Sequence, residues 1–238
     1  MPETLEGGRD WRSFWNSPEP HLDSDELLVQ VGRTVGGRPI GAGEVSLAVA
    51  AAVQGLELSG EDVLLDLCCG NGLITRQLAP VCRAVVGVDC SRRLIEVARE
   101  RSSAPNVTYQ VGAAEELDSV DFAGLAPNKL SMLQALQHLT VAGLGRLLTS
   151  LDGWDSPIVR LCLTDVPDRD LIFAFYDTPE RREEFHRRRA AGTEAIGTWW
   201  SRDELAALLG AHGYEVEFRR PLCASYAHYR FDVVAWRR

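Results

Sequence analysis

Two acids, each closing an apolar run and each followed by a turn, carry the clearest chemical signal in this chain. The stretch VLLDLCCGNGLIT, Val63 to Thr75, is an apolar strand that ends at Asp66 and passes through Gly70 and Gly72 into a helix. Glycine at such a turn lets backbone approach a ligand with no Cβ in the way. The stretch VVGVDCS, Val85 to Ser91, ends at Asp89 about 20 residues later, the spacing at which an acid at the end of a second strand accepts both hydroxyls of a ribose. A dinucleotide fits this pattern less well than an adenosyl group. The dinucleotide fingerprint wants a third glycine where Ile74 stands. Asp66 also directs negative charge at the turn, which suits an ammonium better than a pyrophosphate.

His138 follows the fourth apolar strand, where a neutral imidazole could take a proton from a hydroxyl, or could simply pack or cap a helix. Aromatic residues Trp15, Tyr176, Trp199 and Trp200 are candidates for the wall of an acceptor pocket, with at least one of the adjacent tryptophans expected in the core. The histidines are scattered and no CxxC pair occurs, so no metal is expected. The six cysteines include the adjacent Cys68 and Cys69, a poor disulfide design, and read as free thiols of a reduced, cytoplasmic protein.

The elements that must position these residues alternate. Strands are predicted at Val63–Leu67, Ala84–Val88, Val107–Val111, Lys129–Gln134 and Pro157–Thr164. Helices are predicted over Gly72–Leu78, Arg92–Arg101 behind the cap Ser91, and Val141–Leu151. Such alternation implies parallel strands with right-handed crossovers. Further on, helices over Pro179–Arg189 and from Ser201 to Leu209 precede two strands, Tyr214–Phe218 and Tyr229–Trp236, which suggest an antiparallel edge. Residues 1–60 read as an N-terminal helical cap, with helices at Ser24–Val31 and Glu44–Val53 and a polar start, Met1–Asp10, expected to be disordered. Residues 61–238 carry the main fold.

DLCCGNG, the acid of VVGVDCS, VTYQVGAAEEL, LSMLQALQHL and the C-terminal GTWWSRDELAALLGAHGYEVEF occur in the order of a class I S-adenosylmethionine (SAM)-dependent methyltransferase, which the chain resembles over Val63 to Arg238. The resemblance implies an α/β, Rossmann-like seven-stranded mixed sheet of order 3-2-1-4-5-7-6, with helices on both faces. It implies SAM as cofactor, with Asp66, Cys68, Gly70 and Gly72 at its methionine part and Asp89 on the ribose. Cys90, Ala114 and Glu115 would lie at the adenine and Gln134 at the amino group. Two positions depart from the family pattern. Cys68 stands where the first glycine is usual, which a slightly opened turn would tolerate, and Ala113 replaces the acid that receives the adenine amino group.

The net charge of −9 speaks against a nucleic-acid partner, and the one basic run, Arg181 to Arg189, interleaves acids at helical spacing. Hydrophobic residues at 45% and charged residues at 25% suit a globular chain with a real core, and no membrane span is expected. The expected activity is methyl transfer to a small molecule, foremost O-methylation of a natural product or sugar-like metabolite. Nitrogen or carbon acceptors stay open, as do a nicotinamide dehydrogenase and a non-catalytic partner protein. Nothing in the sequence sets the oligomeric state, and a homodimer stands open.

Overall fold

The computed structural model describes residues 4–18 and 20–237. Seven strands form one sheet: β1 (Val63–Leu67), β2 (Ala84–Asp89), β3 (Val107–Val111), β4 (Lys129–Leu133), β5 (Arg160–Pro167), β6 (Glu215–Arg219) and β7 (Arg230–Trp236). Their spatial order is 3-2-1-4-5-7-6, and only β7 runs against its neighbours β5 and β6. The α/β fold, its strand order and its antiparallel edge are therefore those expected from the sequence. β1 is buried at all five positions because helices cover both faces of the sheet.

Alternation along the strands sorts the core into two layers. Leu65, Leu67, Val86, Val88, Leu130 and Met132 face the helices Val141–Asp152 and Arg202–Ala211. Leu64, Val85 and Cys162 face the opposite layer, where Val45, Ala52 and Leu56 of the helix Ala42–Leu56 pack. That helix approaches β5 and β7 closely at Gly55, where a Cβ would stand 3.0 Å from both Cys162 Sγ and Val234 Cγ2. Burying a leucine such as Leu56 contributes about 1.5–3 kcal/mol.

Three local expectations need correction. The helix expected at Ser24–Val31 is a single turn, Leu27–Gln30. Gln30 is drawn inward instead, donating to Ser24 O and accepting from Asn71. The helix expected from Gly72 begins at Thr75, because Gly72 sits at φ +72. Of the polar start expected to be disordered, residues 1–3 lie outside the described residues. Residues 4–10 are ordered: Leu5 exchanges backbone hydrogen bonds with Trp199 at 2.8 and 2.9 Å. Among the described residues no helix is long and apolar enough to cross a membrane.

Candidate functional site

The carboxyl ends of β1, β2 and β4 open into one cavity of about 1030 Å³ including its mouth. Asp66, Cys68, Gly70, Asp89, Cys90, Ala114, Glu115, Gln134, His138 and Trp15 all line it.

The loops at these strand ends are held in unusual backbone conformations. Cys68, after β1, has φ +55 and Gln134, after β4, has φ +57. A left-handed conformation costs a residue with a Cβ about 1–2 kcal/mol. The turn at Cys68 is thus not opened to admit a side chain. It keeps the geometry that favours glycine, and the cysteine bears the strain. Gly70, at φ +57, also lies against Val31, whose Cγ1 would meet an added Cβ at 2.7 Å. Gly72 does not line the cavity. A Cβ there would meet Tyr109 Oη at 2.4 Å, so this glycine serves packing and not ligand contact, against expectation.

Both strand-end acids are buried. Asp66 accepts from Ser131 Oγ and Thr75 Oγ1, each at 2.6 Å. Burial still raises its carboxyl above the usual range, outweighing those bonds. Asp89 accepts from the Gly70 amide at 2.9 Å and the Ser91 amide at 2.8 Å, and burial pushes it up to about 6 despite them. One lone pair on each Asp89 oxygen is left for a ligand. Ser91 Oγ caps the next helix at Leu94 N, so Asp89 is free of that task. The neighbouring thiols of Cys68 and Cys69 are pushed well up, chiefly by burial, and stay protonated. A thiolate nucleophile has no place here.

A short, exposed helix, Trp11–Asn16, roofs the cavity. It is tied down at the β2 and β3 ends: Asn16 Nδ2 donates to Cys90 O at 3.1 Å, Ser91 Oγ donates to Trp15 O at 2.8 Å, and Arg12 pairs with Glu116 at 3.1 Å. Beneath it lies His138, in the 3-10 turn Leu136–His138, with ring centroids 4.3 Å from Trp11 and 5.7 Å from Trp15. Burial, then Arg230 and Arg9, lower its pKa to about 3. The imidazole is therefore neutral in ordinary solution and a weak base. Among the described residues its Nδ1 is buried with no partner, as is Gln134 Oε1.

Three of the aromatic residues expected at an acceptor pocket are elsewhere. Trp199 and Trp200 are wholly buried, one in each core layer, because successive residues of an extended segment point to opposite sides. Tyr176 is 5% exposed and its hydroxyl donates to Glu194, so it packs under the helix Pro179–Ala190. Conversely, sequence reasoning missed Trp11, Asn71 and Arg33. Asn71 is fully buried and ties the turn to residues 27 and 30. Arg33 is 5% exposed, lines the cavity, and donates to Leu133 O at only 3.5 Å. A lone arginine in the glycine-rich VGRTVGG was the available clue to it. Among the described residues no cluster of three or more His, Cys, Asp or Glu is arranged to hold a metal.

A methyltransferase domain matches residues 64–151. An uncharacterized methyltransferase of Schizosaccharomyces pombe is 50% identical over 48 residues, 20% of this chain and 18% of that protein. The tRNA (uracil-5-)-methyltransferase homolog A of Mus musculus is 30% identical over 122 residues, 47% of this chain and 20% of that one. The chain thus spans about a fifth of the length of these curated relatives. Among solved structures, a SAM-dependent methyltransferase from Anabaena variabilis superposes with a TM-score of 0.66 at 16% identity, over 100% of this chain and 99% of that one. The magnesium protoporphyrin IX methyltransferase of Synechocystis, with bound SAM, gives 0.60 at 17% identity over 100% of both chains.

Proposed function

We propose that the chain is a class I SAM-dependent methyltransferase, as the matched methyltransferase domain and the fold support, and that it methylates a small molecule, with an oxygen as the acceptor atom. The observation that carries this reading is the cavity itself. It joins a buried carboxylate with spare lone pairs, Asp89, to Gln134 Oε1, which has no hydrogen-bond partner among the described residues, and to the buried guanidinium of Arg33.

The residues fit the cofactor group by group. Asp89 takes the two ribose hydroxyls. Cys90, Ala114 and Glu115 flank the adenine, with Ala113 contributing only backbone. Gln134 Oε1, backed by the charge of Asp66, takes the ammonium, and Arg33 takes the carboxylate. Cys68 and Gly70 bring backbone up to the methionine part. Bound SAM supplies a methyl group already activated on a sulfonium, so orientation accounts for most of the rate. His138, with Trp11 and Trp15, forms the acceptor side. At a pKa of about 3 it contributes a hydrogen-bonding wall, not a proton reservoir.

A small acceptor, such as a natural product or a sugar-like metabolite, is favoured over RNA, although two kinds of relative are named for RNA uracil methylation. The net charge is −9, and arginines of the one basic helix are engaged by acids, Arg181 with Asp177 and Arg188 with Glu184. Within the cap proposed over residues 1–60, the segment up to Arg33 acts as the lid, while Ala42–Leu56 serves the sheet.

Calorimetric titration with S-adenosylhomocysteine (SAH), the demethylated cofactor, tests the reading. Wild type binds, and Arg33→Met weakens binding at least tenfold while a circular dichroism spectrum shows the fold retained. A wild-type protein that takes up neither SAM nor SAH overturns the proposal, and an Arg33→Met variant that binds as wild type removes Arg33 from it.

A further inference from the structure

The turn after β1 meets a segment distant in the chain, residues 27–33, and one side chain joins the two. Asn71, between Gly70 and Gly72, is fully buried. Its Nδ2 donates to Leu27 O at 2.8 Å and to Gln30 Oε1 at 2.9 Å, and its Oδ1 accepts from Leu73 N at 3.3 Å. A side-chain amide has two N–H groups, so both are spent on the segment and none is left for a ligand. The two pieces also touch directly: Val31 Cγ1 lies so near the turn that a Cβ on Gly70 would meet it at 2.7 Å.

The segment needs that anchor. Leu27–Gln30 is one helical turn of 4 residues, its N-cap Glu26 makes no side-chain hydrogen bond, and Gln30 is its buried residue. A single turn has no stability of its own. Leu28 adds partial burial, and an exposed Arg101 donates to Asp25 O at 3.0 Å. Yet this turn carries Arg33, whose amide donates to Leu28 O at 2.8 Å after a chain reversal at Gly32, φ +66. Arg33 is 5% exposed and lines the cavity, while its guanidinium reaches Leu133 O only at 3.5 Å. A contact that long fixes direction weakly, so the backbone from which the side chain springs sets its aim. The aim matters, because a guanidinium meets a carboxylate through two parallel N–H groups of a rigid, planar fork.

We propose that Asn71 is a positioning residue for the cofactor's carboxylate: it holds residues 27–33 on the turn so that Arg33 faces the cavity. This rests on the methyl-transfer reading above and on its placing of the carboxylate at Arg33. Consecutive residues of one turn then set both ends of the ligand. The Gly70 amide holds Asp89, the acid for the ribose, at 2.9 Å, and the Asn71 side chain holds the segment that bears the cation.

The test is calorimetric titration with SAH and with decarboxylated SAH, which keeps the adenosine, thioether and ammonium and lacks only the carboxylate. Wild type binds SAH more tightly. Asn71→Ala, with the fold retained by circular dichroism, weakens SAH about tenfold or more and leaves the decarboxylated ligand within about twofold. Arg33→Met gives the same pattern, and the double variant loses no more than the worse single one, as residues acting through one another do. Should Asn71→Ala fail to fold, Gln30→Met keeps the buried bulk but removes the acceptor of one Asn71 N–H. It should weaken SAH several-fold with the decarboxylated ligand unaffected. Equal losses on both ligands overturn the positioning role, since Asn71 would then shape the turn for the whole cofactor. Unchanged SAH affinity in the folded variants, or additive losses in the double variant, overturns it too. A wild type that binds both ligands equally removes the proposal at its premise, Arg33 on the carboxylate. No SAH uptake at all is the separate failure of the methyl-transfer reading, and takes the proposal with it.

Discussion

Asp89 is the residue on which cofactor affinity should depend most visibly. Burial raises its carboxyl to about 6, so in the cofactor-free protein it begins to take up a proton just below neutrality. Protonation removes an acceptor position that a ribose hydroxyl needs. SAH affinity should therefore fall by up to tenfold per pH unit as pH drops through 6, and Asp89→Asn should be weaker throughout and flat with pH. Calorimetry between pH 5 and 8 decides it, and a wild-type affinity level across that range would detach Asp89 from the ribose. For folding the sign is opposite. The folded state disfavours the ionised form, so this group's contribution is fully present below the unfolded value of 3.8 and is lost as pH rises through 6, by about 3 kcal/mol in all. His138 carries the contrasting prediction. With a pKa near 3, it should impose no acid limb on turnover near pH 6.5, and His138→Ala should stay within about tenfold of wild type. A limb near 6.5 that vanishes in the alanine variant would restore it as a general base.

At the scale of elements, the strands and most helices were legible because burial on both faces, alternation and capping each leave a compositional trace. Asp66 and Asp89 could be read as strand-end acids for the same reason. What escaped was conformation that residue type does not encode. Cys68, Gln134 and Asp165 adopt φ near +55 without being glycine, all at the carboxyl edge of the sheet. At least one of Trp199 and Trp200 was expected in the core, and pairing of the first segment with residue 199 accompanies the burial of both. Arg33 reaches the cavity beside Leu133, 100 residues away in the chain, a proximity only the fold creates. The strain at Cys68 makes a prediction of its own. Cys68→Gly relieves about 1–2 kcal/mol of left-handed strain and returns about 0.5–1 kcal/mol through the freer unfolded chain. The variant should melt at the same temperature as wild type or slightly higher, with SAH affinity intact. A clear loss of stability would mean that packing of the Cys68 side chain outweighs its backbone strain.

For the molecule as a whole, cofactor binding and stability are coupled through the roof. The helix Trp11–Asn16 buries none of its own residues and is held partly by an ion pair whose members are 61% and 58% exposed, worth at most about 1 kcal/mol. Opening it costs little, so a ligand can enter without disturbing the sheet, while beneath it buried Arg33 and Asp89 and half-buried Gln134 line one cavity. Occupying those groups stabilises the folded state alone, since the unfolded chain brings none of them together. Ligand at a hundredfold over its dissociation constant adds about 2.7 kcal/mol. For a chain of this length that raises the melting temperature by about 5–11 °C. SAH should produce this shift. NAD should not, because Ile74 stands where the dinucleotide turn needs glycine and Asp66 and Asp89 would face its pyrophosphate. A thermal melt with each ligand, repeated with Arg33→Met and Asp89→Asn, distinguishes the outcomes. A shift with SAH that both variants reduce ties stabilisation to these contacts. A shift with NAD, or an SAH shift indifferent to both substitutions, would mean that the cavity binds something other than an adenosyl amino acid.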